Sequence, residues 1–262
     1  MRLSRVRRKL AAAEPVMITK MNTADPAICD IIGLCGFDCL WLCQEHIGLG
    51  WEQLGNLIRT AAMHDMDVMV RVAKSCYSDL IRPLEMGAAG VMVPHCGSAD
   101  EARQIAQMTR FHPLGRRAFD SGNTDGAYCL LSPAEYVRHA NDNTFVVVQI
   151  EDPETIPEID AIAAVPGIDA LFVGPADMAH ALGAPGQFDH PEIARAIKDT
   201  AAGCARHGKH WGMPVSAQTA AQIMEQGGRL LAAGADVLAL TAYFGDLRVQ
   251  FEALGVQFTP KV

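Results

Sequence analysis

Short apolar runs alternate with amphipathic stretches along most of the chain, and little loop is left between them. The runs at residues 16–20, 38–43, 67–72, 90–94, 145–150 and 170–174 predict strands buried on both faces, as in a parallel sheet. A weaker run at 211–215 and another at 236–240 complete a set of eight. Between them, apolar residues at helical spacing predict helices at 26–34, 51–64, 78–86, from 98 onward, 153–164, 191–207, 219–227 and 244–254. Ser98-Ala99-Asp100-Glu101 opens its helix like a capping box. Two stretches break the rhythm: 111–144, rich in Arg, Gly, Asn and Asp with a short helix at 133–141, and an irregular loop at 176–190. Eight β/α repeats in 262 residues indicate a (β/α)8 TIM barrel, read as a single domain over 1–262, with its active site at the C-terminal strand ends. A doubly wound open sheet is the alternative, but no Gly-x-Gly-x-x-Gly follows the first strand.

Composition narrows the function classes. A net charge of -8 argues against nucleic acid as the main partner. The exception is the basic segment 1–10, which reads as a short solvated helix capping the barrel floor. A targeting reading fails because the apolar run 11–13 stops at Glu14-Pro15. No stretch approaches the ~20 apolar residues of a membrane helix. The eight cysteines include no Cys-x-x-Cys pair, and evenly spaced Cys35, Cys39 and Cys43 run from a helix end into a strand, so they would not share a face. They read as reduced, small apolar residues of a cytoplasmic protein.

Collecting the strand ends gives a polar rim: Cys43, Gln44, Glu45 and His46; Arg71; His95 and Cys96; Gln149 and Glu151; Gly174 to Asp177; Ser216; and Thr241. A carboxylate ending a run such as Phe145–Ile150 is costly unless something pairs it. Glu151 and Asp177 offer hard oxygen ligands for Mg²⁺, Mn²⁺ or Co²⁺, although each would also serve as a helix cap. Arg71 suits a carboxylate or enolate oxygen, or else a buried ion pair. His46 beside Glu45 has the chemistry of a general base, or is satisfied locally. The amides of Ala176 and Asp177 would seat a substrate carboxylate if a helix begins there.

Five of these motifs carry a resemblance. Glu45-His46, Val70-Arg71-Val72, Gly87-Ala88-Ala89-Gly90-Val91-Met92-Val93-Pro94, Gln149-Ile150-Glu151 and Gly174-Pro175-Ala176-Asp177 resemble, in order and spacing, the HpcH/HpaI aldolases, which are metal-dependent class II pyruvate aldolases. The match runs over about residues 10–256. It implies a TIM barrel with a divalent metal on Glu151 and Asp177. Arg71, Gln149, Gly174 and the amides of Ala176 and Asp177 would meet pyruvate. His46 would be the catalytic histidine, oriented by Glu85, and Glu45 would hold a water of the metal. A homo-oligomer, trimer or hexamer, with the last helix swapped between subunits is also implied. The chain departs from the family at Cys43 and Glu85, where Asp is common, and at Lys20, where some relatives have an aromatic residue. Gly115-Arg116-Arg117 resembles a family loop, so Arg116, Arg117, His95 and Ser216 are candidates for the distal half of the substrate, with inter-subunit ion pairing as the plainer alternative for the arginines.

The chemistry implied is reversible cleavage of 4-hydroxy-2-oxo acids to pyruvate and an aldehyde. Oxaloacetate decarboxylation or acyl-CoA lysis at the same enolate site, and a non-catalytic 2-oxo-acid binder, are the alternatives. Lys20 keeps a Schiff-base mechanism formally open.

Overall fold

The apolar runs pair side by side. Strands β1 (Val16–Lys20), β2 (Cys39–Cys43), β3 (Asp67–Arg71), β4 (Gly90–Val93), β5 (Phe145–Ile150), β6 (Ala170–Val173), β7 (His210–Pro214) and β8 (Leu230–Ala235) close into a parallel barrel in chain order. The computed structural model describes residues 2–74 and 76–259. Helices α1 (Arg5–Ala11), α2 (Pro26–Leu34), α3 (Trp51–Met63), α4 (Tyr77–Glu85), α5 (Ala99–Thr109), α6 (Pro133–Asn143), α7 (Ile159–Ala163), α8 (Pro175–Ala181), α9 (Pro191–His207), α10 (Ala220–Glu225) and α11 (Asp236–Glu252) connect or flank the strands. This is the (β/α)8 barrel that the hydrophobic pattern predicts.

Alternation along each strand divides the core in two. Ile18, Trp41, Met69, Met92, Val147 and Phe172 fill the barrel interior. Leu40, Val70, Val91, Val148 and Leu171 face outward and pack with Leu54, Leu57, Ile105 and Ile193 of the surrounding helices. Continuing the inward set to the strand ends brings up Lys20, Cys43, Arg71, Gln149, Glu151 and Gly174. The period of two that builds the core thus also selects the rim.

Four expectations are corrected. The eighth strand is Leu230–Ala235, paired to β1 through Val16–Leu230 and Ile18–Ala232, whereas 236–240 begins α11. Asp236 marks the switch: its carboxylate accepts from the amides of Asn22 (2.8 Å), Thr23 (2.9 Å) and Val237 (2.8 Å). A five-residue apolar run does not distinguish strand from helix by periodicity alone. Thr241 therefore lies inside α11, not at the rim. The helix expected at 153–164 divides into a 3-10 turn, Pro153–Glu158, and α7, and the loop at 176–190 starts within α8.

The amino-terminal segment does cap the floor, but by ion pairing. Val6 and Leu10 of α1 are buried, a contribution of about 1.5–3 kcal/mol each. Asp38 pairs with Arg5 (2.7 Å) and Lys9 (2.6 Å). Asp169 meets both Arg7 and Arg110. Asp67, fully buried, accepts from Ser4 Oγ (2.6 Å) and the Val6 amide (2.8 Å) and pairs with Arg2. At the other terminus α11 buries only Asp236 and leaves Leu238, Tyr243, Phe244 and Val249 exposed. No helix among the described residues is long and apolar enough to cross a membrane.

Asp67→Ala should lower the unfolding free energy by about 2–3 kcal/mol, because two buried donors lose their acceptor. Burial pushes the Asp67 carboxyl up against the pull of Arg2, Ser4 and Val6. Asp67→Asn, which keeps an acceptor without a buried charge, should therefore cost less. Urea denaturation of both variants checks the order, and equal losses would rule it out.

Candidate active site

Glu151 follows β5 directly and continues its inward set. Its side chain is 1% exposed. Oε1 accepts from the His95 amide at 2.9 Å and Oε2 from Gln149 Nε2 at 2.7 Å. His95 takes a left-handed backbone conformation (φ 49°), uncommon for a residue with a side chain, and in it presents that amide. Gly174 supplies the space: a Cβ there would lie 2.4 Å from Glu151 Oε2. Burial pushes the Glu151 carboxyl up to about 7, against the pull of His95, and the charge of Asp177 adds to the rise.

Asp177 sits in the first turn of α8, half-buried, and its carboxylate has no hydrogen bond or ion pair among the described residues. Two carboxylates thus repel one another at adjacent strand ends. A divalent cation fits this donor set, because hard oxygens suit it and its charge offsets the cost of burying Glu151. No group of three or more His, Cys, Asp or Glu side chains among the described residues forms a cage. Two protein ligands would leave most coordination positions to substrate and water.

Beside this pair stands Arg71, 4% exposed. Its Nε lies 3.0 Å from Glu45 Oε2, a contact of charges without hydrogen-bond alignment: that oxygen has no hydrogen-bond partner among the described residues. Nε and Nη2 donate instead to Cys43 Sγ at 3.4 and 3.2 Å. The same sulfur accepts from the His46 amide at 3.4 Å, so Cys43 ties the arginine to the turn that carries the histidine. The His46 ring lies 3.5 Å from Glu45 Oε2 and is 54% exposed, open to a proton donor from solvent or substrate. Glu45 Oε1 also faces the His95 ring at 3.7 Å. Trp41 underlies the cations: Arg71 lies 5.0 Å and Lys20 Nζ 5.5 Å from its ring centre.

The His95 ring sits among carboxylates, its Nδ1 3.1 Å from Asp152 Oδ2, and its side chain is half-exposed. Lys74, absent from the expected rim, donates to the His95 carbonyl and pairs with Glu101 at 2.5 Å. It stands three residues past Arg71, in a strand-end loop where a count of rim residues would find it. Ser216 does follow β7, exposed, in a turn where its amide donates to Thr219 Oγ1 at 3.0 Å.

Glu85, Arg116 and Arg117 are not brought to this cluster within the chain. Helix α4 runs from the end of β3 back to the start of β4, so its last residue, Glu85, is carried away from the rim. The charged neighbours of Glu85 are Arg117, Asp120, Asp125 and Arg82, and burial raises its carboxyl. Arg117 is buried on the outer flank, 3.0 Å from Asp125 and stacked 4.7 Å from the Phe111 ring centre, while Arg116 is exposed there. Spacing in sequence located the segment but not the direction in which the helix carries it.

Comparison with known proteins gives this rim its relatives. The family model described as HpcH/HpaI aldolase/citrate lyase matches residues 21–242. A hydroxypyruvate/pyruvate aldolase of Pseudomonas aeruginosa is 30% identical over 251 residues, covering 95% of this chain and 93% of that protein. A 5-keto-4-deoxy-D-glucarate aldolase of Klebsiella pneumoniae is 33% identical over 216 residues, 82% of this chain and 83% of its own. The crystal structure of an HpcH/HpaI aldolase from Desulfitobacterium hafniense matches with a TM-score of 0.89 and 29% identity, covering 97% of this chain and 98% of that one. The chain whose strand ends bring Glu151, Asp177 and Arg71 together belongs to the HpcH/HpaI aldolase/citrate lyase family and is a lyase.

Proposed function

We propose that the rim binds a divalent cation, Mg²⁺, Mn²⁺ or Co²⁺, on Glu151 and Asp177 and cleaves 4-hydroxy-2-oxo acids to pyruvate and an aldehyde. The observation that carries this is the buried Glu151 carboxylate facing Asp177, with buried Arg71 on the same rim. When bound, the ion supplies Lewis acidity toward the keto oxygen of the substrate. The residues of the chain do the rest. Arg71, its guanidinium fixed by Cys43 and Glu45, stabilises the negative oxygen that develops as the C3–C4 bond breaks. His46 takes the proton of the 4-hydroxyl, and nearby Glu45 favours the imidazolium that results. Gln149 gives Nε2 to Glu151 and keeps a buried Oε1 without a partner, available to a hydroxyl or a water. The first-turn amides of α8, at Ala176 and Asp177, have no intrahelical acceptor and suit the carboxylate of the 2-oxo acid. The Gly174 backbone packs beside them.

The exposed apolar side chains of α11 support assembly into a homo-oligomer through that helix, since so much exposed apolar surface on one helix is unusual on a monomer. Within such an assembly Arg116, on the flank, is available to ion pairing between copies.

Three measurements test these roles. Purified protein with each metal, oxaloacetate and a panel of 4-hydroxy-2-oxo acids, coupled to pyruvate detection, should give chelator-sensitive pyruvate from at least one hydroxy acid. Pyruvate from oxaloacetate alone would favour decarboxylation, and none at all would favour a binding protein. Glu151→Ala should abolish metal binding by calorimetry together with turnover; full chelator-sensitive activity in that variant would misplace the site. Gly174→Ala should cost about 100-fold or more in kcat with little change in thermal unfolding, because the added methyl displaces Glu151 and not the core.

A further inference from the structure

Lys20 is the top inward residue of β1, in register with Trp41 of β2 and Ala235 of β8. It is half-buried, and among the described residues its ammonium has no hydrogen bond and no ion pair; its one contact of charge is with the Trp41 ring at 5.5 Å. A lysine in that setting normally draws in a carboxylate, because a partly desolvated charge without a partner is costly.

Asp177, the rim carboxylate without a partner among the described residues, follows β6, which β7 and β8 separate from β1, and the other rim carboxylates are committed elsewhere. Asp236, which directly follows the strand end beside Lys20, is saturated by the amides of Asn22, Thr23 and Val237 and by Thr23 Oγ1 (2.6 Å). Glu45 serves Arg71, His46 and His95. Glu151 is held by His95 and Gln149. The rim therefore carries two cations against one indole, Arg71 with a partial counter-charge and Lys20 with none.

We propose that Lys20 determines substrate specificity by binding a second anionic group, a carboxylate or a similar acid, on the aldehyde half of the substrate. The assignment rests on the aldolase function proposed above. Arg71 and the Glu151–Asp177 pair serve the 2-oxo acid end, and Lys20 stands across Trp41 as the remaining uncompensated charge. A substrate acidic at both ends pairs each cation; a neutral aldehyde leaves Lys20 unpaired. Lys20 acts here through its charge and forms no covalent bond with the substrate.

The test compares aldol addition of pyruvate to glyoxylate, an acidic aldehyde, and to glycolaldehyde, a neutral one of the same length, in the metal-loaded protein. The ratio of kcat/KM for glyoxylate over glycolaldehyde should be 10-fold or more in the native protein. In Lys20→Met it should fall about 10-fold, through KM for glyoxylate rather than kcat, and Lys20→Arg should restore most of it. A ratio that Lys20→Met leaves unchanged overturns the assignment. Exchange of the pyruvate methyl protons with deuterated water, followed by NMR in the same samples, separates the two levels. If exchange proceeds while the ratio stays fixed, Lys20 alone is misassigned; if neither exchange nor addition occurs, the aldolase function falls and this assignment with it. A pyruvate adduct trapped on Lys20 by borohydride also overturns it, since Lys20 would then be a nucleophile.

Discussion

A carboxylate buried at the end of an apolar strand is the constraint around which the rim is arranged. Glu151 cannot stay ionised in that position unaided, and the surrounding chain supplies what it needs in several ways. His95 adopts an unfavoured backbone conformation to aim an amide at it, and Gln149 spends its side-chain donor on it. Gly174 gives up a side chain to admit it. Even so, burial and the neighbouring Asp177 leave the carboxyl at about 7. A site built only for stability would have put an arginine there. The residual cost is one that a divalent cation on the pair would offset, and the same absence of a resident counter-charge recurs at Lys20.

The floor of the barrel shows the opposite solution with the same residue types. Asp38, Asp67 and Asp169 are each met by at least one arginine or lysine and by at least one backbone amide. Each carboxylate at that end thus has a cation beside it, and the basic segment that composition singled out supplies one to all three. Stability is concentrated where the strands begin, and unmet valence where they end. This is the usual division of labour in a β/α barrel, here legible in the partners of Asp38, Asp67 and Asp169 at one end and of Glu151 and Asp177 at the other.

Much of this was readable from the chain. Seven of the eight strands follow from short apolar runs between helical patterns, and period-two counting along them reaches Cys43, Arg71, Gln149 and Glu151 without a structure. The failures have physical causes. The run at 236–240 is as apolar as a strand, and only the tertiary capping of Asp236 by residues 22 and 23 makes it a helix start. Glu85 and Arg117 have the right residue types, but α4 carries one away from the rim and Asp125 claims the other on the flank. Lys74 was missed because its partners, the His95 carbonyl and Glu101, belong to later repeats. In each case the deciding partner is distant in sequence.

Cys43 shows how a single substitution in the family pattern changes the charge at the rim. The resemblance leads one to expect an aspartate there, which would give Arg71 a full counter-charge within hydrogen-bond reach. The thiol instead accepts two guanidinium N–H groups at 3.2–3.4 Å and the His46 amide at 3.4 Å, so the geometry is retained while that negative charge is not. Sulfur is a weak acceptor, so these bonds orient more than they neutralise. Arg71 is left with Glu45 as its ionic partner, itself shared with two histidines. Relative to an aspartate-bearing rim, this one is more positive by a charge at the point where an enolate oxygen would form, and Lys20 adds a second positive charge across Trp41. Both differences act in the same direction: each leaves a cation of the rim short of negative charge.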